Sequence, residues 1–364
     1  MRKSSLRELA SLFGRLGLTA FGGPAAHIAM MQKEVVDKKG WMDHRHFLDL
    51  IGATNLIPGP NSTEMAIHIG YERGGWKGLL VAGACFILPA VLITATLAWL
   101  YQKYGHLPGA EAWVYGIKPA IIPVILGAVH PLAKRAVRTV TLGVIGLLVL
   151  GACLLGLDEV YAMFGAGAVT LGLYLSKRRL NSLAPLLLQA QAVNLRVFLI
   201  FLKIGAILYG SGYVLFAFLD RELVAKGLLT RPVLIDAIAV GQFTPGPVFS
   251  SVTFIGWQMG GWKGAALATL AIFLPSFVFV GLLNPFVPRM RRSASFSTFL
   301  DGVNVASVAI ILVVCWTFGR STLTDWRTAV IAVAAAAVVF GLPKVNSAWI
   351  IAGGALLGYV LALL

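Results

Sequence analysis

This sequence predicts an all-α, polytopic membrane protein made of two homologous copies, each carrying about six membrane segments. Three observations predict it. The 364 residues are 58% apolar and only 12% charged, with a mean hydropathy of +0.83, whereas soluble domains carry about 25% charged residues. Long apolar stretches recur along the chain, and a bilayer core of about 30 Å calls for roughly 20 such residues per helix. A block of sequence in the first half returns in the second half.

The apolar stretches are Leu79–Tyr101, Trp113–Val129, Val140–Leu157, Tyr161–Leu175, Phe198–Leu219, Ala265–Leu283, Phe299–Phe318, Ala329–Leu342 and Trp349–Leu364. In lipid every backbone polar group must be satisfied within the segment, so these read as helices. The alternating pattern of a membrane barrel is absent. The net charge of +15 comes from 30 Lys and Arg against 15 Asp and Glu. Most of this charge falls in short loops between spans, as the positive-inside rule expects, and it gives no reason to expect nucleic acid. Cys85, Cys153 and Cys315 lie singly in apolar spans, which argues against a disulfide framework or a metal site. The N-terminal MRKSSLRELASLFGRLG has no clean apolar core before a cleavage site and reads as retained.

The repeat is explicit. Residues 58–78 read PGPNSTEMAIHIGYERGGWKG and residues 245–264 read PGPVFSSVTFIGWQMGGWKG. Pro89 with Pro275, Gly116 with Gly302 and Gly167 with Gly353 continue the register at an offset of 186 residues. Asp49 pairs with Asp236 at 187, and Glu34 with Glu222 and Gly17 with Gly205 at 188. The expected division is a first copy at 1–176, a linker at 177–189 and a second copy at 190–364.

Each copy opens with two interrupted segments. The first carries a glycine cluster (Phe21-Gly22-Gly23-Pro24; Tyr209-Gly210-Ser211-Gly212) and the second carries Pro-Gly-Pro (58–60; 245–247). A polar stretch, 32–46 or 220–231, lies between them. Proline breaks or kinks a helix. At membrane depth a break survives only against protein or a water-filled cavity, and matching breaks in two halves point to a transport site. The plainer reading is a pair of surface turns. The basic load shifts from the loop at 134–138 in copy one to the loop at 289–292 in copy two, which predicts inverted copies. Six crossings per copy would leave both facing the same way. Inversion then needs either a crossing at 183–193 or one broken segment that is re-entrant in one copy.

Several residues stand out as candidates for an anion site. Arg15 and Lys203 share a register just before the glycine clusters, Lys203 in a very apolar context. A charge inside a membrane helix is a functional candidate, with snorkelling to the interface as the alternative. A half-helix N-terminus offers backbone N–H groups to an anion, and glycine lets the backbone approach closely. That selects Gly22, Gly23, Gly59 and Gly246, with Asn61, Ser62, Thr63, Ser250 and Ser251 as side-chain donors that could equally serve as helix caps. Glu64 is a candidate proton carrier, or else an ion-pair partner for Arg73 or Arg15. His27 is a candidate relay. Glu34, Glu222, Asp49 and Asp236 recur in both copies and suit gating or structural salt bridges. No catalytic constellation, metal-ligand spacing or cofactor motif is present.

FGGPAAHI (21–28), EVV from Glu34, GWM (40–42), NLIPGPNSTEMAIHIGYERGGWKG (55–78) and FILP (86–89) together resemble the chromate ion transporter family, in its long two-domain form. The resemblance implies export of chromate from the bacterial cytoplasm across the inner membrane, driven by the proton motive force, with inverted halves. Copy two departs from the pattern, with Gly210-Ser211-Gly212 for Gly-Gly-Pro and QFTPGPV for NLIPGPN. Chromate and sulfate are both tetrahedral dianions, so a permease for sulfate or another oxyanion is the alternative. A membrane-embedded lipid-phosphate enzyme would need clustered His, Asp or Glu, which the sequence lacks. The sequence leaves a homodimer open.

Overall fold

The computed structural model describes residues 4–21, 23–104, 108–175, 193–209, 212–283, 293–342 and 345–362. No strand occurs among them. The first half holds α1 (Leu6–Thr19), α2 (Gly23–Gln32) running into a π-helical turn (Lys33–Lys38), α3 (His44–Thr54), α4 (Asn61–Tyr104), α5 (Pro108–Ala136), α6 (Val140–Leu154) and α7 (Glu159–Leu175). The second half repeats that order: α8 (Val193–Ile207), α9 (Val214–Leu219) with a π-helical turn (Asp220–Val224), α10 (Arg231–Phe243), a 3-10 turn (Val248–Ser250) leading into α11 (Ser251–Leu283), α12 (Ala294–Thr322), α13 (Trp326–Gly341) and α14 (Ser347–Ala362). The expected linker 177–189 and nearly all of 183–193 lie outside the described residues; Val193 opens α8.

Local chemistry fixes the helix starts. Ser5, Thr139 and Ser293 cap α1, α6 and α12 by accepting a backbone N–H with their side chains, and Asp325 forms a capping box with Thr328 at α13. The 44 residues of α4 contain one non-helical position, Gly75 at φ 59° and ψ −148°. Gly261 in α11 repeats it at φ 57° and ψ −148°. Only glycine adopts such a backbone without strain. The chain folds back sharply there. Gly70 faces the Gly78 carbonyl and Ala82, and Gly256 faces the Gly264 carbonyl and Ala268.

The earlier elements of copy one also fold back on themselves. Arg15 on α1 pairs with Glu34, and Glu8 with Lys39, so α1 and the α2 segment run antiparallel. His46 at the start of α3 pairs with Glu72, so α3 runs antiparallel to residues 61–74. The Ser4 N–H donates to the Arg73 carbonyl at 3.1 Å, which brings both hairpins to one end of the molecule. The apolar run Phe198–Leu219 is divided: α8 stops at Ile207 and α9 starts at Val214, on either side of the glycine cluster at 209–212.

The halves interleave. α12 packs on α6 and α7, α5 packs on α13 and α14, and α4 packs along α11. Phe201, Phe216, Phe249, Phe254 and Phe318 are fully buried in the main core, while Phe13, Phe47 and Phe86 fill a second core beneath α1 to α4. The outer faces are also apolar: Leu92, Leu147, Leu148, Val333 and Trp349 are exposed. Four helices, α4, α5, α11 and α12, are long and apolar enough to cross a bilayer, and α6, α7, α13 and α14 are shorter apolar helices. The chain is a multi-pass membrane protein.

Candidate functional site

The Pro-Gly-Pro segments end at buried tips where the two copies meet. Gly59 takes φ 143° and Gly246 takes φ 94°. The Gly59 N–H donates to the Leu208 carbonyl at 2.8 Å, and the Gly246 N–H donates to the Ala20 carbonyl at 2.8 Å. Positions 59 and 246 correspond in the repeat, and so do 20 and 208. Each tip is therefore tied to the end of the first helix of the opposite copy, and these two amide donors are engaged within the protein.

Behind each tip a helix begins. Ser62, Thr63, Glu64, Ser250 and Ser251 are all buried there, and Asn61 donates to the Asn55 side chain at 2.9 Å. Glu64 is fully buried; its Oε1 accepts from Ser276 of copy two at 3.3 Å, and its Oε2 has no hydrogen-bond partner among the described residues. The Thr63 and Ser251 hydroxyls are likewise without one. Ser250 accepts from Thr94 of copy one at 3.3 Å. A Cβ on Gly59 would collide with the Glu64 carboxylate and would stand 2.5 Å from the Ser276 hydroxyl, so these groups press directly against the tip. The neighbouring α4 N-terminus carries about half a positive charge from the helix dipole. Gly23 takes φ 80° facing the Tyr213 hydroxyl, and His27 is buried edge-on to Phe86 at 5.8 Å. Gly22 lies outside the described residues.

The repeat-paired cations stand elsewhere. The side chains of Arg15 and Lys203 are 56% and 53% exposed, despite the apolar sequence around Lys203. Arg15 and Lys38 both pair with Glu34, and Lys203 and Lys226 both pair with Glu222. The two triads correspond residue for residue. In the first, the ammonium of Lys38 and then the guanidinium of Arg15 hold the Glu34 carboxyl below the usual range. In the second, burial pushes Glu222 upward, but Lys203 and Lys226 together outweigh it. The ion pair weighed for Glu64 does not form: Arg15 is taken by Glu34, and Arg73 bonds Ser4 and the Trp41 carbonyl.

Asp236 is buried on α10. Lys118 lies 3.1 Å from its Oδ1, and the Tyr101 hydroxyl donates to Oδ2 at 2.7 Å, both from copy one. Asp49, its repeat counterpart, is half-buried on α3. No group of three His, Cys, Asp or Glu that could hold a metal ion occurs among the described residues. Ser276 escaped sequence reasoning, because copy one has Ala90 at that place and an isolated serine in an apolar helix carries no signal.

The profile of the chromate transporter family matches residues 7–172 and again 195–359. The chain belongs to the chromate transporter family. It is 30% identical to the chromate transport protein of Cupriavidus metallidurans, over 98% of this chain and 93% of that protein. It is 30% identical to the probable chromate transport protein of Synechococcus elongatus, over 89% and 87% of the two chains. It is 28% identical to the chromate transport protein of Pseudomonas aeruginosa, over 84% and 79%. No solved structure is significantly similar. These relatives are transport proteins, not enzymes.

Proposed function

We propose that this protein is a secondary transporter that exports chromate from the bacterial cytoplasm across the inner membrane, driven by the proton motive force, through an oxyanion site between two inverted copies. One observation carries this reading: the matched pair of backbone hydrogen bonds that ties each buried tip to the other copy. Two half-helix starts thereby face one shared region, and helix starts attract anions. Residues 61–74 make a helix of about 21 Å, too short for the roughly 30 Å bilayer core. Each Pro-Gly-Pro tip then sits at mid-depth on a re-entrant hairpin.

Support for inversion comes from the contacts between copies. The hairpins of copy one open at the end that holds Ser4, Lys39, His46 and Arg73. Trp257, near the outer end of the copy-two hairpin, instead meets Gln102 at the far end of α4. Arg221 meets Asp158, and Asp325 meets Tyr115, at that same far end. Arg138 and Asp301 pair at the first end. The first end also carries Arg7, Lys39, Arg135 and Arg138, whose copy-two counterparts are uncharged, so the positive-inside rule turns it to the cytoplasm. With re-entrant hairpins α4 to α7 supply four crossings per copy, an even number, so inversion still requires one further crossing between α7 and α8.

The candidate donors are Asn61, Ser62, Thr63, Ser250 and Ser251 with the glycines of the tips, of which Gly59 and Gly246 would exchange their cross-copy bond for the anion during the cycle. Arg15 and Lys203 then act as paired cations on the approach, released from Glu34 and Glu222. Everted membrane vesicles energised by respiration, which makes the lumen electrically positive, and given radiolabelled chromate test the function. Uptake that an uncoupler abolishes is the expected result. No chromate uptake, with labelled sulfate moving in a parallel sample, would replace chromate by sulfate as the cargo.

A further inference from the structure

Among the described residues Glu64 has no charged partner. It is wholly buried, one oxygen lacks a hydrogen bond, and it presses on the tip beside the α4 N-terminus, where the oxyanion is proposed to bind. The elements around it offer no counter-ion. α11 contributes Ser276, and its one charged residue, Lys263, sits beside the Gly261 turn. Arg15 of α1 pairs with Glu34 and Asp236 of α10 with Lys118, while on α3 Arg45 lies in the first, exposed turn and Asp49, at mid-helix, is itself an acid. His27 on α2, His68 one turn along α4 and Tyr209 at the end of α8 are the other titratable groups near the tips.

We infer that Glu64 carries a proton in the same direction as the oxyanion, because the dianion enters the tip region only when Glu64 is neutral. The inference rests on the oxyanion reading of that site. Two negative groups side by side in a low-dielectric interior repel strongly, and neither has a cation to offset the other. A protonated Glu64 reverses the interaction, since its O–H becomes one more donor to a substrate that only accepts. The proton therefore binds with the oxyanion and leaves with it. Copy two has Ser250 and Ser251 at the matching helix start, so one such proton accompanies each anion. Export then moves a dianion and a proton outward together, one net negative charge. The membrane potential drives that step, and an acid exterior opposes it.

The test uses purified protein in liposomes with a pH-reporting dye inside and chromate outside, in a medium alkaline enough to keep chromate a dianion. The expected result is that the lumen acidifies as chromate enters, by one proton per chromate. Glu64→Gln should still move chromate, more slowly, with the acidification lost. Luminal alkalinisation, no pH change in the wild type, or undiminished acidification in Glu64→Gln overturns the inference. If Glu64→Gln is inactive, chromate–chromate exchange by the wild type at equal pH on both sides decides: a rate that rises as pH falls supports the inference, and a flat rate overturns it. A wild type that moves neither chromate nor sulfate defeats the oxyanion reading itself, and the proton assignment with it.

Discussion

Gly70 and Gly256 sit where each long helix folds back on itself, and alanine there should destabilise the protein measurably. A Cβ on Gly70 would overlap the Gly78 carbonyl oxygen and lie 2.5 Å from the Ala82 Cβ; on Gly256 it would overlap the Gly264 carbonyl oxygen and lie 2.7 Å from the Ala268 Cβ. Carbon atoms in contact prefer about 3.5–4.0 Å. The two arms must therefore separate by about 1 Å, and the obstacle is backbone, which cannot rotate away. Overpacking of this kind costs about 1–3 kcal/mol. Each kcal/mol lowers Tm by about 2–4 °C in domains of 150–250 residues, and by less in longer chains. The expected loss is a few degrees for either substitution, read by intrinsic tryptophan fluorescence of detergent-solubilised protein. Gly14→Ala is the control: nothing lies within 4 Å of its Cβ, and it gains helix propensity of up to about 1 kcal/mol. Wild-type stability in Gly70→Ala would mean that the arms are not packed this closely, and the fold-back at Gly75 would have to be redrawn.

Other expectations follow from the ion pairs and the tips. Arg15→Ala and Lys203→Ala should each cost at most about 1 kcal/mol of stability, because both side chains are more than half exposed, yet reduce chromate flux at normal abundance. Normal flux in Lys203→Ala would remove Lys203 from the transport path. Glu34 and Glu222 have carboxyls held below their ordinary range, so the stability they contribute is complete above the unfolded-state pKa and is lost as pH falls through and below it. Thermal unfolding between neutral and acid pH should show that loss, and Lys38→Ala with Lys226→Ala should flatten it. Asp236→Ala strands Lys118 and should destabilise by up to about 3 kcal/mol, discounted for the partial exposure of the lysine. Adding Lys118→Ala should recover part of it, which a double-mutant cycle in the same unfolding assay would measure.

Much of this architecture was legible in the sequence because breakers and repeats are local signals. The Pro-Gly-Pro motifs mark the tips in both copies, whereas Gly-Gly-Trp serves only to align the repeat and does not by itself announce the fold-backs at Gly75 and Gly261. Pairing across a fold-back was harder to read. Arg15 with Glu34 and Lys203 with Glu222 are each 19 residues apart, a spacing that no single helix joins. The shared spacing of opposite charges in the two copies was the available clue. Glu64 with Ser276 spans 212 residues between copies that differ at both positions, so no internal comparison could find it.

A shared site between the copies depends most on the two copies facing opposite ways. Thr139 and Thr324 occupy corresponding loops, before α6 and α13, and both are exposed. In a variant lacking Cys85, Cys153 and Cys315, a cysteine at one or other position can be probed with a membrane-impermeant maleimide on intact cells. Inversion predicts that Thr324→Cys labels from outside, while Thr139→Cys labels only after the membrane is opened. Equal labelling of both from outside, or of neither, would contradict it.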